Sequence, residues 1–130
     1  MGECIEIRCE CCGHTRGFSI GVGMMYGDIN SIIKRVLHSS VKKQVIEMTE
    51  LDNISSFECS EEVYECESCD TLHNRTYFKM EYGDREVYET FFRCGQCRKS
   101  LRKATKQVDK YRCIKCGEYS LLKFLEILWD

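Results

Sequence analysis

Four copies of a Cys-x2-Cys pair constrain this chain more than any other feature of its sequence. Eight of its eleven cysteines belong to these pairs. Two thiolates three positions apart on a tight turn both reach one metal ion at about 2.3 Å, so each pair supplies half of a tetrahedral site. We therefore predict two sites with four cysteine ligands each. The predicted ligands are Cys9, Cys12, Cys66, Cys69, Cys94, Cys97, Cys113 and Cys116.

The residue after the second cysteine supports this prediction, because such a turn is eased by a residue that tolerates a left-handed backbone. Gly13 and Gly117 hold that position in the first and fourth pairs, and Asp70 holds it in the second. Gly95 lies inside the third pair.

Two arrangements of the four pairs are open. The third and fourth pairs are separated by 15 residues, which is a typical zinc-binding spacing. This favours a sequential arrangement, in which the first two pairs share one ion and the last two share the other. In the nested alternative, the middle pairs flank a predicted hairpin over residues 71–93 and share an ion, and the outermost pairs share the second ion.

We predict zinc, as two structural ions, in a cytoplasmic protein. The cysteine count is odd and the start, MGECIEIRCE, does not resemble a secretory signal, so a disulfide scaffold is disfavoured. Redox Cys-x2-Cys motifs usually occur once per domain, at a helix start. A rubredoxin-like iron redox carrier has the same four ligands and is the remaining alternative. No apolar run is long enough to span a membrane.

Three cysteines and three histidines lie outside the predicted ligand set, and His38 among them is expected to be an ordinary exposed residue of the helix. Cys11 lies between two ligands and is expected to point outward. Cys4 and Cys59 lie in predicted strands and are expected to be small buried side chains. His14 and His73 each follow a cysteine pair, and the alternative that either replaces a cysteine ligand is disfavoured.

An amphipathic helix is predicted over about residues 28–50, between the first and second pairs. Its apolar positions follow a 3.6-residue period. A break is expected near Ser39, because His-Ser-Ser is a weak helix former. The periodic positions are Ile29, Ile32, Ile33, Val36, Leu37, Val41, Val45 and Met48.

The remaining segments are predicted to be strands, and residues 4–9, CIEIRC, show the apolar–polar alternation typical of one. The fold class is therefore a small β-rich α+β protein with two Cys4 zinc ribbons and one inserted helix. We divide it into a first ribbon with the helical insertion, residues 1–92, and a C-terminal ribbon, residues 93–130. Residues 98–113 are expected to form the hairpin of the second ribbon. The last segment, 119–130, fits strand or helix equally, and its place in a ribbon favours a strand.

A glycine-rich stretch follows the first pair. The spacing of Gly21, Gly23 and Gly27 does not fit a dinucleotide-binding loop, which needs its third glycine one position earlier. Close backbone packing is favoured over ligand binding. The adjacent residues 24–26, Met-Met-Tyr, are expected to fill core beneath the helix.

Charge is unevenly distributed, although the formal net charge is only −2. Residues 44–74 contain nine acids and no lysine or arginine, and residues 98–115 contain eight bases and one acid. The basic stretch is a candidate nucleic-acid-binding surface. The alternatives are a solvated face or a surface that docks on the acidic stretch of the same chain. The candidate residues are Arg98, Lys99, Arg102, Lys103, Lys106, Lys110, Arg112 and Lys115.

The order of these motifs resembles that of a known group of proteins. The stretch CCGHTRGFSIGVGMMYG, followed by an inserted helix and three more pairs, resembles small bacterial zinc-ribbon proteins of unknown function. The resemblance implies metal-binding ribbons and no activity. This chain departs from that pattern by the additional Cys11. The lysine-, isoleucine- and glutamate-rich composition also suggests a bacterial or phage origin.

We therefore predict a non-enzymatic binding module. It is expected to contact nucleic acid, or a protein that handles nucleic acid, through the basic C-terminal hairpin. The alternative is that this chain is an adaptor that binds only a protein partner. An enzyme is disfavoured because four cysteines per ion leave no open coordination position for a reactive water.

Overall fold

The structure is a computed structural model that describes residues 2–22, 29–51 and 54–129, and the strands in these residues form one sheet. The strands are β1 Gly2–Cys9, β2 Thr15–Gly21, β3 Ile54–Cys66, β4 Thr71–Tyr82, β5 Glu86–Glu89, β6 Arg102–Lys103 and β7 Leu121–Trp129. Their order is β5-β4-β3-β2-β1-β7, and β6 pairs with β3 beside that path. The β-rich architecture predicted from the sequence is confirmed.

Strand β1 lies between β2 and β7, and both neighbours run antiparallel to it. Its Ile5 and Ile7 are buried while Arg8 is exposed, as the alternation in the sequence predicts. Cys9, at the end of β1, pairs with Leu121 at the start of β7. The strand favoured for the C-terminal segment is confirmed.

Strands β3 and β4 form a long antiparallel hairpin. Cys66 pairs with Thr71, so the second Cys-x2-Cys pair lies in the turn of this hairpin. A tight turn with Gly83 and Arg85 in the left-handed region then joins β4 to β5. The hairpin predicted around this turn is confirmed, with a short second strand.

Gly21, at the end of β2, joins β2 to the β3–β4 hairpin. Its φ is 105°, a conformation that favours glycine, and it pairs with Gly2 of β1 and with Glu61 of β3. The close backbone packing predicted for the glycine-rich stretch stays a prediction. Residues 23–28, which include the other two glycines and Met-Met-Tyr, lie outside the described residues.

The predicted helix is present but interrupted. An α-helical turn, α1 Ile29–Ser31, continues as a π-helical turn, Ile32–Val36, and a second helix, α2, spans Ser39–Leu51. The break at residues 37–38 confirms the one expected near Ser39. The helices pack on the β3–β4 hairpin through a buried cluster. That cluster contains Ile32, Val45, Cys59, Phe78 and Met80.

The hairpin predicted over residues 98–113 is wrong. β6 has only two residues and pairs with Tyr64 and Glu65 of β3. A 3-10 turn, Val108–Lys110, then leads to the last cysteine pair. Arg102 and Lys103 of β6 pair with β3 instead of with their own segment, and carboxylates of Glu65 and Glu62 on β3 lie within 4.0 Å of their side chains. Strands from residues 93–130 thus pair with β1 and with β3, which both lie in residues 1–92.

Candidate metal centres

The outermost cysteine pairs come together and form the outer group, Cys9, Cys12, Cys113 and Cys116. Their four sulfur atoms lie within 4.8 Å of one another. The Sγ atoms of Cys9 and Cys116 are 3.6 Å apart, and those of Cys12 and Cys113 are 3.7 Å apart. A tetrahedral ion with metal–sulfur bonds of about 2.3 Å separates its sulfurs by about 3.8 Å. The outer group therefore has the size of a four-thiolate metal site.

The middle pairs form the inner group, Cys66, Cys69, Cys94 and Cys97. Its four sulfur atoms also lie within 4.8 Å of one another. The Sγ atoms of Cys66 and Cys97 are 3.5 Å apart. All eight predicted ligands thus fall into two groups of four.

The sequential arrangement favoured from the sequence is wrong, and the nested alternative is the one observed. Its cause is the strand pairing. Because β7 runs antiparallel to β1 with Cys9 beside Leu121, the turn that precedes β7 lies next to the turn that follows β1. This places Cys113 and Cys116 beside the first pair, and Cys94 and Cys97 remain near the turn of the β3–β4 hairpin.

All four turns have the same backbone geometry. In each, the carbonyl of the first cysteine accepts a hydrogen bond of 2.8–3.0 Å from the amide four residues later. That later residue has a left-handed φ in every turn. The four residues and their φ values are Gly13 (76°), Asp70 (56°), Arg98 (67°) and Gly117 (81°).

Arg98 was not singled out as a turn residue. Gly95 is the small residue within the third pair, but Arg98 is the residue of that turn that takes the left-handed conformation. The signal that identifies it is position, because it lies four residues after Cys94, as Gly13 does after Cys9.

Backbone amides point at the sulfurs. The amide of Cys69 donates to Sγ of Cys66, and the amide of Lys115 donates to Sγ of Cys113, both at 3.4 Å. Such donors stabilise a thiolate, because they place partial positive charge beside it. The turns therefore favour the form of cysteine that binds metal.

The thiol pKa values differ strongly within each group. A hydrogen bond with the Ser120 hydroxyl, 3.2 Å away, and backbone amide donors lower the pKa of Cys9 to about 6. Burial raises the pKa of Cys94, but amide donors from Cys97 and Gln96 prevail and lower it to about 7. The hydrogen bond with Cys97 raises the pKa of Cys69 to about 12. Neighbouring thiolates repel each other, so the sulfurs of one group do not all ionise together. A bound cation would offset this repulsion.

The first cysteine of every pair is buried. The second cysteines differ, because Cys12 and Cys116 of the outer group are exposed while Cys69 and Cys97 of the inner group are half-buried. An ion in the outer group would therefore lie closer to solvent.

None of the eleven cysteines forms a disulfide. Cys11 is exposed, as predicted, and Cys59 is buried, whereas Cys4 is half-buried. His14 and His73 are absent from both four-cysteine groups among the described residues.

Much of the basic stretch is paired with the acidic stretch of the same chain. Arg102 lies 3.5 Å from carboxylate oxygens of Glu65 and Glu67. Lys103 lies 4.0 Å from Glu62, and Lys106 lies 3.3 Å from Asp70. This geometry matches the intramolecular alternative considered for the basic stretch.

The other five candidates differ from these three. The Lys99 ammonium donates to the Ser68 hydroxyl at 3.3 Å. Arg112 is half-buried, and its buried Nε has no hydrogen-bond partner among the described residues. Arg98, Lys99, Lys110 and Lys115 are exposed.

Asp70 is a functional candidate that sequence reasoning considered only as a turn residue. It belongs to the inner turn, yet its carbonyl accepts a 2.7 Å hydrogen bond from the amide of Arg112, next to Cys113. Its carboxylate accepts a 2.7 Å hydrogen bond from the Tyr119 hydroxyl. No local sequence signal indicates these contacts, because they join residues more than 40 positions apart.

Comparisons of the chain with models of protein families, with curated protein sequences and with solved structures find no significant match. The resemblance to bacterial zinc-ribbon proteins therefore stays a prediction. Within the described residues, no helix has the length and apolarity needed to cross a membrane.

Proposed function

We propose that each cysteine group binds one structural zinc ion. The observation that supports this is the presence of two sets of four sulfurs, each within 4.8 Å. Zinc prefers four-coordinate tetrahedral sites of this kind and binds such ligands more tightly than Fe²⁺ does. When bound, zinc would neutralise part of the thiolate charge and cross-link the turns. We also retain the proposal of a zinc-ribbon protein from a bacterial or phage cytoplasm.

Elemental analysis of protein purified under reducing conditions tests this proposal. We expect two zinc ions per chain and a colourless sample. One zinc ion or none in a folded sample contradicts the two-ion proposal. A coloured sample with iron in place of zinc favours the rubredoxin-like redox carrier.

We propose a non-enzymatic role, because four cysteine ligands fill a tetrahedral zinc shell and leave no position for a reactive water. The module would instead act by binding. Its partner is proposed to be a protein, since the three central bases of the basic stretch are paired with carboxylates of the chain itself. Paired bases offer a polyanion less net charge.

Exposed apolar side chains give further support to a protein partner. Within the described residues, β7 pairs only with β1, so it is an edge strand there. Its Phe124 is 60 % exposed and Ile127 is 55 % exposed. Apolar surface of this kind is typical of protein contacts rather than of phosphate binding.

A pull-down from the native host with two matched variants tests this role. F124D places a charge on the exposed apolar strand, and K110E/K115E reverses two exposed bases. We expect a captured protein to be lost with F124D and retained with K110E/K115E, while both variants keep two zinc ions. Equal capture by all three chains contradicts the proposed use of this strand.

Nucleic acid is the second candidate partner, favoured by the exposed Arg98, Lys110 and Lys115. Fluorescence anisotropy with single- and double-stranded DNA and RNA tests it. Binding that weakens steeply with salt and is lost in K110E/K115E would favour this candidate, since neutralised phosphates release counterions. Reversal of Lys110 and Lys115 is the sharper test, because Arg102, Lys103 and Lys106 also hold intramolecular ion pairs.

A further inference from the structure

Asp70 lies in a turn of the inner group but contacts residues that flank a turn of the outer group. It directly follows Cys69, and its amide donates to the carbonyl of Cys66 at 2.8 Å. Its own carbonyl accepts the amide of Arg112, the residue before Cys113, at 2.7 Å. One residue thus connects the turn of one group with the start of a turn of the other.

The Asp70 carboxylate reaches the other end of the same outer turn. Its Oδ2 accepts the Tyr119 hydroxyl at 2.7 Å. Tyr119 adjoins Ser120, whose hydroxyl lies 3.2 Å from the Cys9 sulfur and whose carbonyl accepts the amide of Glu10 at 2.9 Å. The carboxylate therefore contacts the segment that aligns the two halves of the outer group.

A third contact holds the carboxylate in place. The Lys106 ammonium lies 3.3 Å from Oδ1 of Asp70, and the Lys106 amide donates to the Tyr111 hydroxyl at 3.1 Å. Tyr111 is fully buried in the core cluster that also contains Cys9 and Cys113. Asp70 thus contacts three residues of the stretch 106–119, which surrounds the Cys113–Cys116 turn of the outer group.

We propose that Asp70 is a positioning residue that couples the two metal centres, so that metal binding to the inner group prepares the outer group. This inference rests on the proposed zinc binding. A metal ion in the inner group fixes the turn, and the turn sets the directions of the Asp70 carbonyl and carboxylate. These groups then hold Arg112 and Tyr119 at the two ends of the Cys113–Cys116 turn.

Two variants of the full chain test the coupling. D70N keeps a residue that tolerates the left-handed region and keeps the backbone carbonyl, but it removes the carboxylate. Y119F removes the hydroxyl on the other side of the same hydrogen bond. E67Q is the matched control, because Glu67 lies in the same inner turn and its carboxylate contacts Arg102.

Zinc titration against a competing chelator, followed by NMR, reports each centre separately. The amide of Cys69 reports the inner group, and the amide of Lys115 reports the outer group. In the wild type we expect the inner signal to change with the first zinc equivalent and the outer signal with the second.

In D70N the outer affinity should fall about 10- to 100-fold, as for residues that orient metal ligands, while the inner affinity stays within about twofold. Y119F should weaken the outer centre in the same direction and add nothing to D70N. E67Q should leave the ratio of the two affinities unchanged.

Equal weakening of both centres by D70N overturns the coupling, since it indicates a general structural role. Additive effects of D70N and Y119F also overturn it, because the two residues would then act independently. A wild-type chain that binds no zinc overturns the proposed function itself. If the wild type binds two ions and D70N leaves the ratio of the inner and outer zinc affinities unchanged, only the coupling is overturned.

Discussion

The inner and outer groups each have four cysteine ligands in the same kind of turn. They differ in the length of the chain loop between their first and second pairs. The inner group closes residues 70–93 and the outer group closes residues 13–112. Each doubling of a flexible loop costs about 0.6 kcal/mol, so the roughly fourfold longer outer loop costs about 1.2 kcal/mol more. This entropic difference is small beside the energy of metal binding.

The larger difference lies in what must fold first. The inner group is built on the turn of the β3–β4 hairpin, with the third pair close to it along the chain. The outer group needs β7 to pair with β1, two strands from nearly opposite ends of the described chain. Identical ligand chemistry thus gives one centre that is nearly local and one that depends on the tertiary structure.

Removal of ligands should separate the two centres most strongly. In C66S/C69S we expect the loss of both zinc ions and of the folded state, because the outer group depends on the inner turn through the contact of Asp70 with Arg112. Neither ion then contributes its binding energy, which is on the order of 10 kcal/mol for a structural zinc. In C9S/C12S one zinc ion and the β3–β4 hairpin should remain. Native mass spectrometry and amide NMR measure both results. If C66S/C69S retains one zinc ion, the outer group does not depend on the inner group.

Two fragments sharpen the same comparison. A fragment of residues 54–103 contains the inner group, β3, β4 and β6, and should fold with one zinc ion. A fragment of residues 90–130 contains the third and fourth pairs, which belong to different groups, and should stay unfolded with zinc present. Circular dichroism and zinc stoichiometry of each fragment provide the measurement. Folding of the second fragment around zinc would support the sequential arrangement.

A smaller effect should follow from a single hydroxyl. S120A removes the hydrogen bond with the Cys9 sulfur and should weaken zinc binding at the outer group about tenfold, or about 1.4 kcal/mol. Chelator competition measures this change. The matched control is S68A in the inner turn, where the hydroxyl contacts Lys99 instead of a cysteine. If S120A weakened zinc binding at the inner group as much as at the outer group, the two groups would not have separate environments.

A last effect, on the pH dependence of stability, concerns His73, which belongs to neither four-cysteine group. Burial, with the nearby Arg75 and Arg16 cations, lowers the pKa of His73 to about 4. The unfolded chain, with a histidine pKa of about 6.5, then binds more protons, so stability falls as pH drops from about 6.5 toward 4. H73Q should have a flatter slope between pH 5 and 7 in urea unfolding. An NMR titration midpoint near 6.5 in the folded protein would contradict this.

The sequence determined the local features of this protein. Spacing alone identified the eight cysteines that form the two groups, because two ligands three residues apart need only a tight turn. Glycine or aspartate after the second cysteine marked three of the four left-handed positions. Alternation in β1 and the period of the helix likewise depend on near neighbours in the chain, and both were predicted, including the helix break.

The tertiary structure alone decided which pairs share a group. That choice depends on strand order, and the pairing of β1 with β7 joins residues that no spacing rule connects. The same holds for the pairing of basic β6 with acidic β3, and for the contacts of Asp70 with Arg112 and Tyr119. Local geometry fixes what each turn can bind, whereas long-range packing fixes which turns meet.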